Sequence, residues 1–228
     1  MGGYGQNWKH RIGVAIVKKG ILGGTFDPIH LGHLTFAEIA INSLELDELW
    51  LIPNAIPWLR REKPFASPLD RMAMVNAVTN ANSKLFASSI EIDRAGDSYT
   101  VDTLEELCSG TMAQDEVYLL LGADALETIS KWKNPARIFE LVTVVAVPRN
   151  GRSPSIAELD SVSINSNGGV LWLEMVSMPV SSTLIRSMYA RGEDVSEHLP
   201  AEVIDYIKQT GIYEDLPKVI LEDTSNDD

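Results

Sequence analysis

Short apolar runs alternate with amphipathic stretches along most of this chain. Gly20–Gly23, Glu48–Pro53, Leu85–Ile92, Glu116–Leu121, Val142–Val147 and Val170–Val176 are short and apolar, as strands of a sheet covered on both faces must be. Between them, apolar positions fall at helical spacing near 32–43, 68–80, 99–109, 124–132 and 135–141. This alternation predicts an α/β fold with a doubly wound, mostly parallel sheet. In such sheets ligands bind beyond the carboxyl ends of the strands, where the strand order switches. The end of the chain changes character. Ser181-Ser182-Thr183 precedes the apolar spacing of Leu184 to Tyr189, and Pro200 precedes that of Ala201 to Ile207. Two C-terminal helices are expected, the first capped by Ser182 or Thr183 and the second opened by proline. Residues 150–169, rich in Ser, Asn and Gly, predict a loop with one helical turn near 156–159.

The candidate chemistry starts directly after the first strand. The string Gly23-Gly24-Thr25-Phe26-Asp27-Pro28-Ile29-His30-Leu31-Gly32-His33 sits at a strand-to-helix junction. Its glycines let a backbone approach a nucleotide closely. Its histidines lie at a helix start, where free N–H groups and the helix dipole favour phosphate. A metal site is the competing explanation for two histidines, but no HExxH-type partner or nearby cysteine accompanies them. Asp27 before Pro28 is expected to form a turn. A second phosphate element is expected at Ser182, Thr183 and Arg186. Arg186 lies four residues after Ser182, on the same helix face, and a guanidinium can grip two phosphate oxygens at once.

Composition narrows the partners. The formal net charge is −13, from 19 Lys and Arg against 32 Asp and Glu. An acidic surface argues against broad nucleic-acid binding, which runs on cationic patches, yet a nucleotide pocket needs only a few local cations. The single cysteine, Cys108, excludes an internal disulfide and fits a reducing compartment. No apolar stretch approaches a membrane span. Lys9-His10-Arg11 followed by Ile12 to Val17 imitates a signal peptide, but the run is short and leads straight into the glycine motif. A cytoplasmic location without targeting is therefore expected.

The string His30-Leu31-Gly32-His33 resembles the (T/H)xGH signature of the nucleotidyltransferase superfamily. GGTFDPIHLGHL within it is similar to the bacterial nicotinate-nucleotide adenylyltransferases. Four further segments carry the same resemblance in order: Asp93 to Leu104, Leu121-Gly122-Ala123-Asp124-Ala125, Ser130-Lys131-Trp132, and Val180 to Arg186. The resemblance spans about Lys19 to Glu214. One departure lies after the second strand. The family often has Pro-Pro-His-Lys there, whereas this chain has Pro57-Trp58-Leu59-Arg60. The histidine is missing, and a cation, Arg60 or Arg61, remains.

The resemblance implies a Rossmann-like nucleotidyltransferase domain over residues 19–215, preceded by an extension at 1–18 and followed by an acidic tail at 216–228. It implies transfer of AMP from ATP to nicotinate mononucleotide, giving nicotinate adenine dinucleotide and pyrophosphate. His30, His33 and Arg186 would be catalytic. Gly23, Gly24, Thr25, Phe26, Ser182 and Thr183 would bind ATP. Thr100, Gly122, Asp124, Trp132 and Arg149 would bind the nicotinate nucleotide, with Arg60 a possible phosphate cation. Mg2+ would accompany ATP, with no metal cage of protein ligands, no nucleic-acid partner and no membrane. The rivals are transfer to another acceptor, such as nicotinamide mononucleotide or pantetheine phosphate, and a non-catalytic nucleotide sensor.

Overall fold

Strand β1 (Lys18–Gly24) leads into helix α1 (Leu31–Leu44), and the chain then follows β2 (Glu48–Pro53), β3 (Ile56–Pro57), α2 (Pro68–Thr79), β4 (Leu85–Ala87), α3 (Ile90–Arg94), β5 (Asp97–Ser98) and α4 (Thr100–Ser109). It continues through β6 (Glu116–Gly122), α5 (Ala123–Glu127), a 3-10 turn at Ile129–Lys131, α6 (Pro135–Leu141), β7 (Thr143–Val147), β8 (Leu171–Trp172), α7 (Ser182–Ala190) and α8 (Ala201–Thr210). The computed structural model describes residues 16–59, 63–147, 169–174, 178–214 and 216. Expectations for Arg60, Arg61, Arg149, the loop centred on 156–159, most of the N-terminal extension and most of the acidic tail fall outside these residues.

Six strands form one sheet in the order β4-β2-β1-β6-β7-β8, and every pairing is parallel. The chain builds outward from β1 to β2 and β4, then returns to add β6, β7 and β8 on the other side. The order therefore reverses between β1 and β6, and the crevice beyond their carboxyl ends is where such a sheet binds ligands.

The strands are apolar at nearly every position because both faces are covered. Along β6, Val117, Leu119 and Leu121 pack with Leu104, Leu107, Leu126 and Ile138 of α4, α5 and α6. Tyr118 and Leu120 face the other way, toward Phe36 and Ile41 of α1, Met74 of α2, and Val203 and Ile207 of α8. Two cores thus flank one sheet, and a fully buried Leu or Ile contributes about 1.5–3 kcal/mol.

Two differences from the sequence expectation have local causes. The run Leu85–Ile92 is a strand only over Leu85–Ala87, after which α3 begins. Ser88 Oγ accepts from the Ile90 amide at 3.4 Å, and Ser89 Oγ donates to Asp93 Oδ2 at 2.6 Å; serine hydroxyls bonded this way favour a turn over continued strand. The paired β3 and β5 form a second, two-stranded parallel sheet. The amide of Ala55 donates to Ser98 Oγ at 2.8 Å beside it. Among the described residues, no helix is long and apolar enough to cross a membrane.

Candidate active site

The turn from β1 into α1 is held from several sides. His30 is the extended residue before the helix, and its amide donates to Nδ1 of His33 at 3.2 Å. That bond leaves the proton of neutral His33 on Nε2, so the ring carries an N–H donor there. The two imidazoles stack with centroids 3.7 Å apart, and the Phe26 ring meets His33 edge-on at 5.0 Å. His30 is only 6% exposed. Burial, with nearby His198 adding to it, pushes its pKa down to about 4, so the ring is neutral near pH 7. Its buried Nδ1 has no hydrogen-bond partner among the described residues; such an atom costs about 1–3 kcal/mol until a partner meets it.

Gly32 explains itself by close approach. A Cβ there would lie 2.8 Å from Val180 Cγ1 and 3.1 Å from the His30 ring, so any larger residue would push the segment before α7 off the start of α1. Phe26 adopts a left-handed φ of 50° and is 1% exposed. Its ring is a support for His33 and lies against Gly24, which leaves its backbone as the part able to meet a nucleotide.

Helix α7 closes the same turn. Its cap is Ser181, whose Oγ accepts from the Leu184 amide at 3.1 Å, not Ser182 or Thr183. Ser182 Oγ instead donates to the Pro28 carbonyl at 2.9 Å. Arg186 is 8% exposed, donates from Nη1 to the Asp27 carbonyl at 2.6 Å and from Nη2 to Thr183 Oγ1 at 3.3 Å, and lies 5.0 Å from the Phe65 ring centroid. The structure therefore brings Gly23 to Phe26, His30, His33, Ser182, Thr183 and Arg186 to one end of the sheet.

Of the other predicted residues, Thr100, Gly122, Asp124 and Trp132 are among those described. Thr100 opens α4 after Tyr99, and Asp124 lies in the first turn of α5 after Gly122. Neither helix has a side-chain cap at its start. Trp132 follows the 3-10 turn, is half-buried, and donates from Nε1 to Thr128 Oγ1 at 3.4 Å. Lys133 reaches across to Asp102 of α4, at 2.9 and 2.8 Å from its two oxygens, with its ammonium 4.8 Å from the Tyr99 ring centroid. The Trp58 ring packs on Tyr99 at 5.5 Å. This pair ties the Trp132 segment to the start of α4. It also offsets the charge of Asp102, which in the first turn would complement the helix dipole and compete with an incoming anion.

Sequence reasoning missed Asp27, Arg71 and Tyr213. Asp27 lies in the expected turn before Pro28, but its buried role was not foreseen: it is 2% exposed and accepts from the amides of Phe65 and Ala66 and from the Tyr213 hydroxyl. Arg71 did leave a signal. It occupies the inward stripe of α2 with Met74, Val75 and Val78, at the i, i+3, i+4, i+7 spacing of a buried face. Among the described residues, no group of three or more His, Cys, Asp or Glu side chains could hold a metal ion.

Comparison with known proteins places this geometry. The cytidylyltransferase-like family matches residues 21–188. A probable nicotinate-nucleotide adenylyltransferase of Dictyoglomus thermophilum is 41% identical over 197 residues, 86% of this chain and 100% of that protein. Another, from Dehalococcoides mccartyi, is 38% identical over 198 residues, 86% of this chain and 97% of that protein. Among solved structures, Plasmodium falciparum nicotinic acid mononucleotide adenylyltransferase complexed with NaAD shares the fold, with a TM-score of 0.70 at 19% identity, over 87% of this chain and 98% of that one.

Proposed function

The chain belongs to the cytidylyltransferase-like family and, within it, to the nicotinate-nucleotide adenylyltransferases, and we propose that it transfers AMP from ATP to nicotinate mononucleotide. A phosphate oxygen of the acceptor attacks the α-phosphorus of ATP, the new P–O bond forms, and the bond to the β-phosphate oxygen breaks to release pyrophosphate. The acceptor phosphate is already ionised near neutral pH, so the protein has no nucleophile to activate. Its work is alignment and stabilisation of charge on the transferring phosphoryl group.

One observation carries this reading: two stacked imidazoles at the start of α1 and a buried arginine from α7 share one turn. His33 donates through Nε2–H to an α-phosphate oxygen, where charge grows in the transition state. His30, held neutral by burial, acts as a hydrogen-bond donor and not as a proton source. Arg186 meets the β- and γ-phosphates and stabilises the leaving pyrophosphate. The backbone of Gly23 to Phe26, with Ser182 and Thr183, lines the ATP side. Mg2+ accompanying ATP would supply charge neutralisation of the triphosphate.

Nicotinate mononucleotide lies along the adjoining rim. Its carboxylate is received by uncapped N–H groups at the start of α4, near Thr100, and its ring lies against Trp132. Gly122 and Asp124 serve its ribose. Arg149 and the phosphate cation Arg60 belong to the same proposal. A single domain over 19–215 working in the cytoplasm is supported by the six-stranded sheet that joins β1 to β8 and by the single, unpaired cysteine.

Pyrophosphate release with ATP and Mg2+, measured separately with nicotinate mononucleotide, nicotinamide mononucleotide and pantetheine phosphate, tests this. The expected kcat/KM is highest for nicotinate mononucleotide, by about tenfold or more over the amide, from the cost of donors left unpaired. Release with none of the three overturns adenylyl transfer, and faster release with either other acceptor overturns the assignment of acceptor.

A further inference from the structure

Beneath the phosphate-binding turn lies a polar cluster that no step of the reaction uses directly. The Asp27 carboxylate accepts from Tyr213 Oη at 2.7 Å and the Ala66 amide at 3.1 Å on Oδ1, and from the Phe65 amide at 2.8 Å on Oδ2. Arg71 is fully buried. It donates from Nη1 to the Thr25 carbonyl at 2.8 Å and Asn54 Oδ1 at 3.2 Å, and from Nη2 to the Ala55 carbonyl at 3.1 Å. Arg186 reaches the Asp27 carbonyl and stands 3.8 Å from its Oδ2.

We propose that Asp27, Arg71 and Tyr213 are positioning residues for adenylyl transfer: together they fix Arg186 and the Thr25–Asp27 backbone in the orientation that receives the triphosphate. The proposal rests on the adenylyl-transfer reading above.

Five segments converge on this cluster. They are the turn after β1, the residues just after β2, the start of α2, helix α7, and the turn after α8. The last is delivered by Gly211, whose φ of 65° ends α8 in the left-handed conformation and turns the chain back. Tyr213 is 1% exposed. Burial, reinforced by Asp27, drives its pKa far above the ordinary phenol value, so it remains a donor at any working pH. A purely apolar filler would close this space more simply, since burying charges costs more than burying hydrocarbon. Of the two guanidinium groups, Arg186 stands 3.8 Å from the Asp27 carboxylate, and Arg71 donates to the carbonyls of Thr25 and Ala55 and to the Asn54 amide oxygen. The hydrogen bonds that hold Asp27 also fix the Phe65 backbone, and the Phe65 ring lies against the Arg186 guanidinium. Arg186 is thereby fixed through both the main chain and a ring.

The test is Tyr213→Phe, which removes one hydroxyl and keeps the volume, combined with Arg186→Lys in a double-mutant cycle. Each protein is assayed for pyrophosphate release and, separately, for affinity toward a non-hydrolysable ATP analogue. A positioning role predicts about a tenfold loss of kcat/KM for ATP in Tyr213→Phe, an unchanged KM for nicotinate mononucleotide, and little further loss when Tyr213→Phe is added to Arg186→Lys, because coupled residues are not additive. Additive losses, or a lowered Tm with wild-type kinetics and analogue affinity at a permissive temperature, overturn the proposal. If the wild-type protein releases no pyrophosphate, the reaction assignment fails. The same cycle read as analogue affinity then still decides the network, since the affinities must be coupled for it to stand.

Discussion

The two ends of the proposed ligand rim are built on opposite principles. At the phosphate end, His30, Asp27, Arg71 and Arg186 are each less than a tenth exposed, and Asp27, Arg71 and Arg186 are each hydrogen-bonded to another segment. At the acceptor end, Gly122, Asp124 and Lys133 are exposed and Trp132 is half-buried. The cross-link there is the surface pair Lys133–Asp102, with side chains 50% and 34% exposed. Buried, pre-oriented donors act in a low dielectric and lose little by reorganising. Exposed pairs are screened and contribute little. Charge stabilisation in the reaction is thus assigned to the rigid end, and choice of acceptor to the adaptable one. Substitutions at the first should strike turnover, and those at the second should shift selectivity.

The largest effect is expected at His33. Its Nε2–H is oriented by the His30 amide on Nδ1 and by two ring contacts, and a donor gained in the transition state is worth about 10²–10³ in kcat. His33→Ala should lower kcat by that factor with a modest change in KM for either substrate. Steady-state kinetics with near-normal kcat in a folded variant would remove His33 from the mechanism and weaken the contrast between the two ends.

The buried imidazole below it should appear in stability. The folded pKa of His30 is about 4, against about 6.5 for an unfolded histidine. Between those values the unfolded chain binds more protons, so stability is complete above about pH 6.5 and falls as the pH drops toward 4. That difference corresponds to about 3 kcal/mol. Chemical denaturation of the wild type and His30→Gln across pH 7 to 4 should show a correspondingly flatter decline in the variant. Parallel curves would mean that His30 is not held neutral by the fold.

These two residues also show what the sequence makes legible. The helix start at His30 follows from hydrophobic spacing and from the glycine motif, and α1 runs over Leu31–Leu44 where periodicity places a helix at 32–43. The alternation of apolar runs likewise yields the parallel sheet, because burial on both faces writes itself into every strand. The network below is illegible for the same reason. Asp27 and Tyr213 are 186 residues apart, and two polar residues at that separation leave no periodic trace. Ser181, as the cap of α7, stood one residue outside the two candidates, since three consecutive hydroxyl residues give equivalent local signals. The two-residue strands β3 and β5 are too short for any alternation, yet they bring Trp58 against Tyr99.

A smaller effect is expected from Arg186→Lys. Lysine keeps the charge but not the planar fork that reaches the Asp27 carbonyl and Thr183 together. Losing bidentate, charge-assisted bonds should reduce kcat/KM for ATP by about tenfold or more, while KM for nicotinate mononucleotide changes little. Unchanged ATP kinetics would show that this guanidinium serves only the packing around Asp27.

The smallest effect should come from Lys133, and it tests the exposed end most directly. Lys133 does not reach toward the acceptor; both Asp102 oxygens lie within 3 Å of its ammonium. Its influence on the acid substrate is therefore indirect. Asp102 sits in the first turn of α4, where a negative charge opposes any carboxylate arriving at the helix start. Lys133 cancels that opposition. Lys133→Met keeps the length of the side chain over Tyr99 but exposes the Asp102 charge. An exposed pair is worth about 0.2–1 kcal/mol, so the preference for nicotinate over nicotinamide mononucleotide should fall by roughly two- to threefold. The loss should arise from a higher KM for the acid, with kcat and ATP kinetics unchanged, and it should shrink as salt is raised. If Asp102→Asn is made in the same background, the preference should return, because the opposing charge is gone. A loss of kcat in Lys133→Met would instead mean that the acceptor end takes part in the chemical step, and the division between a rigid phosphate end and an adaptable acceptor end would fail.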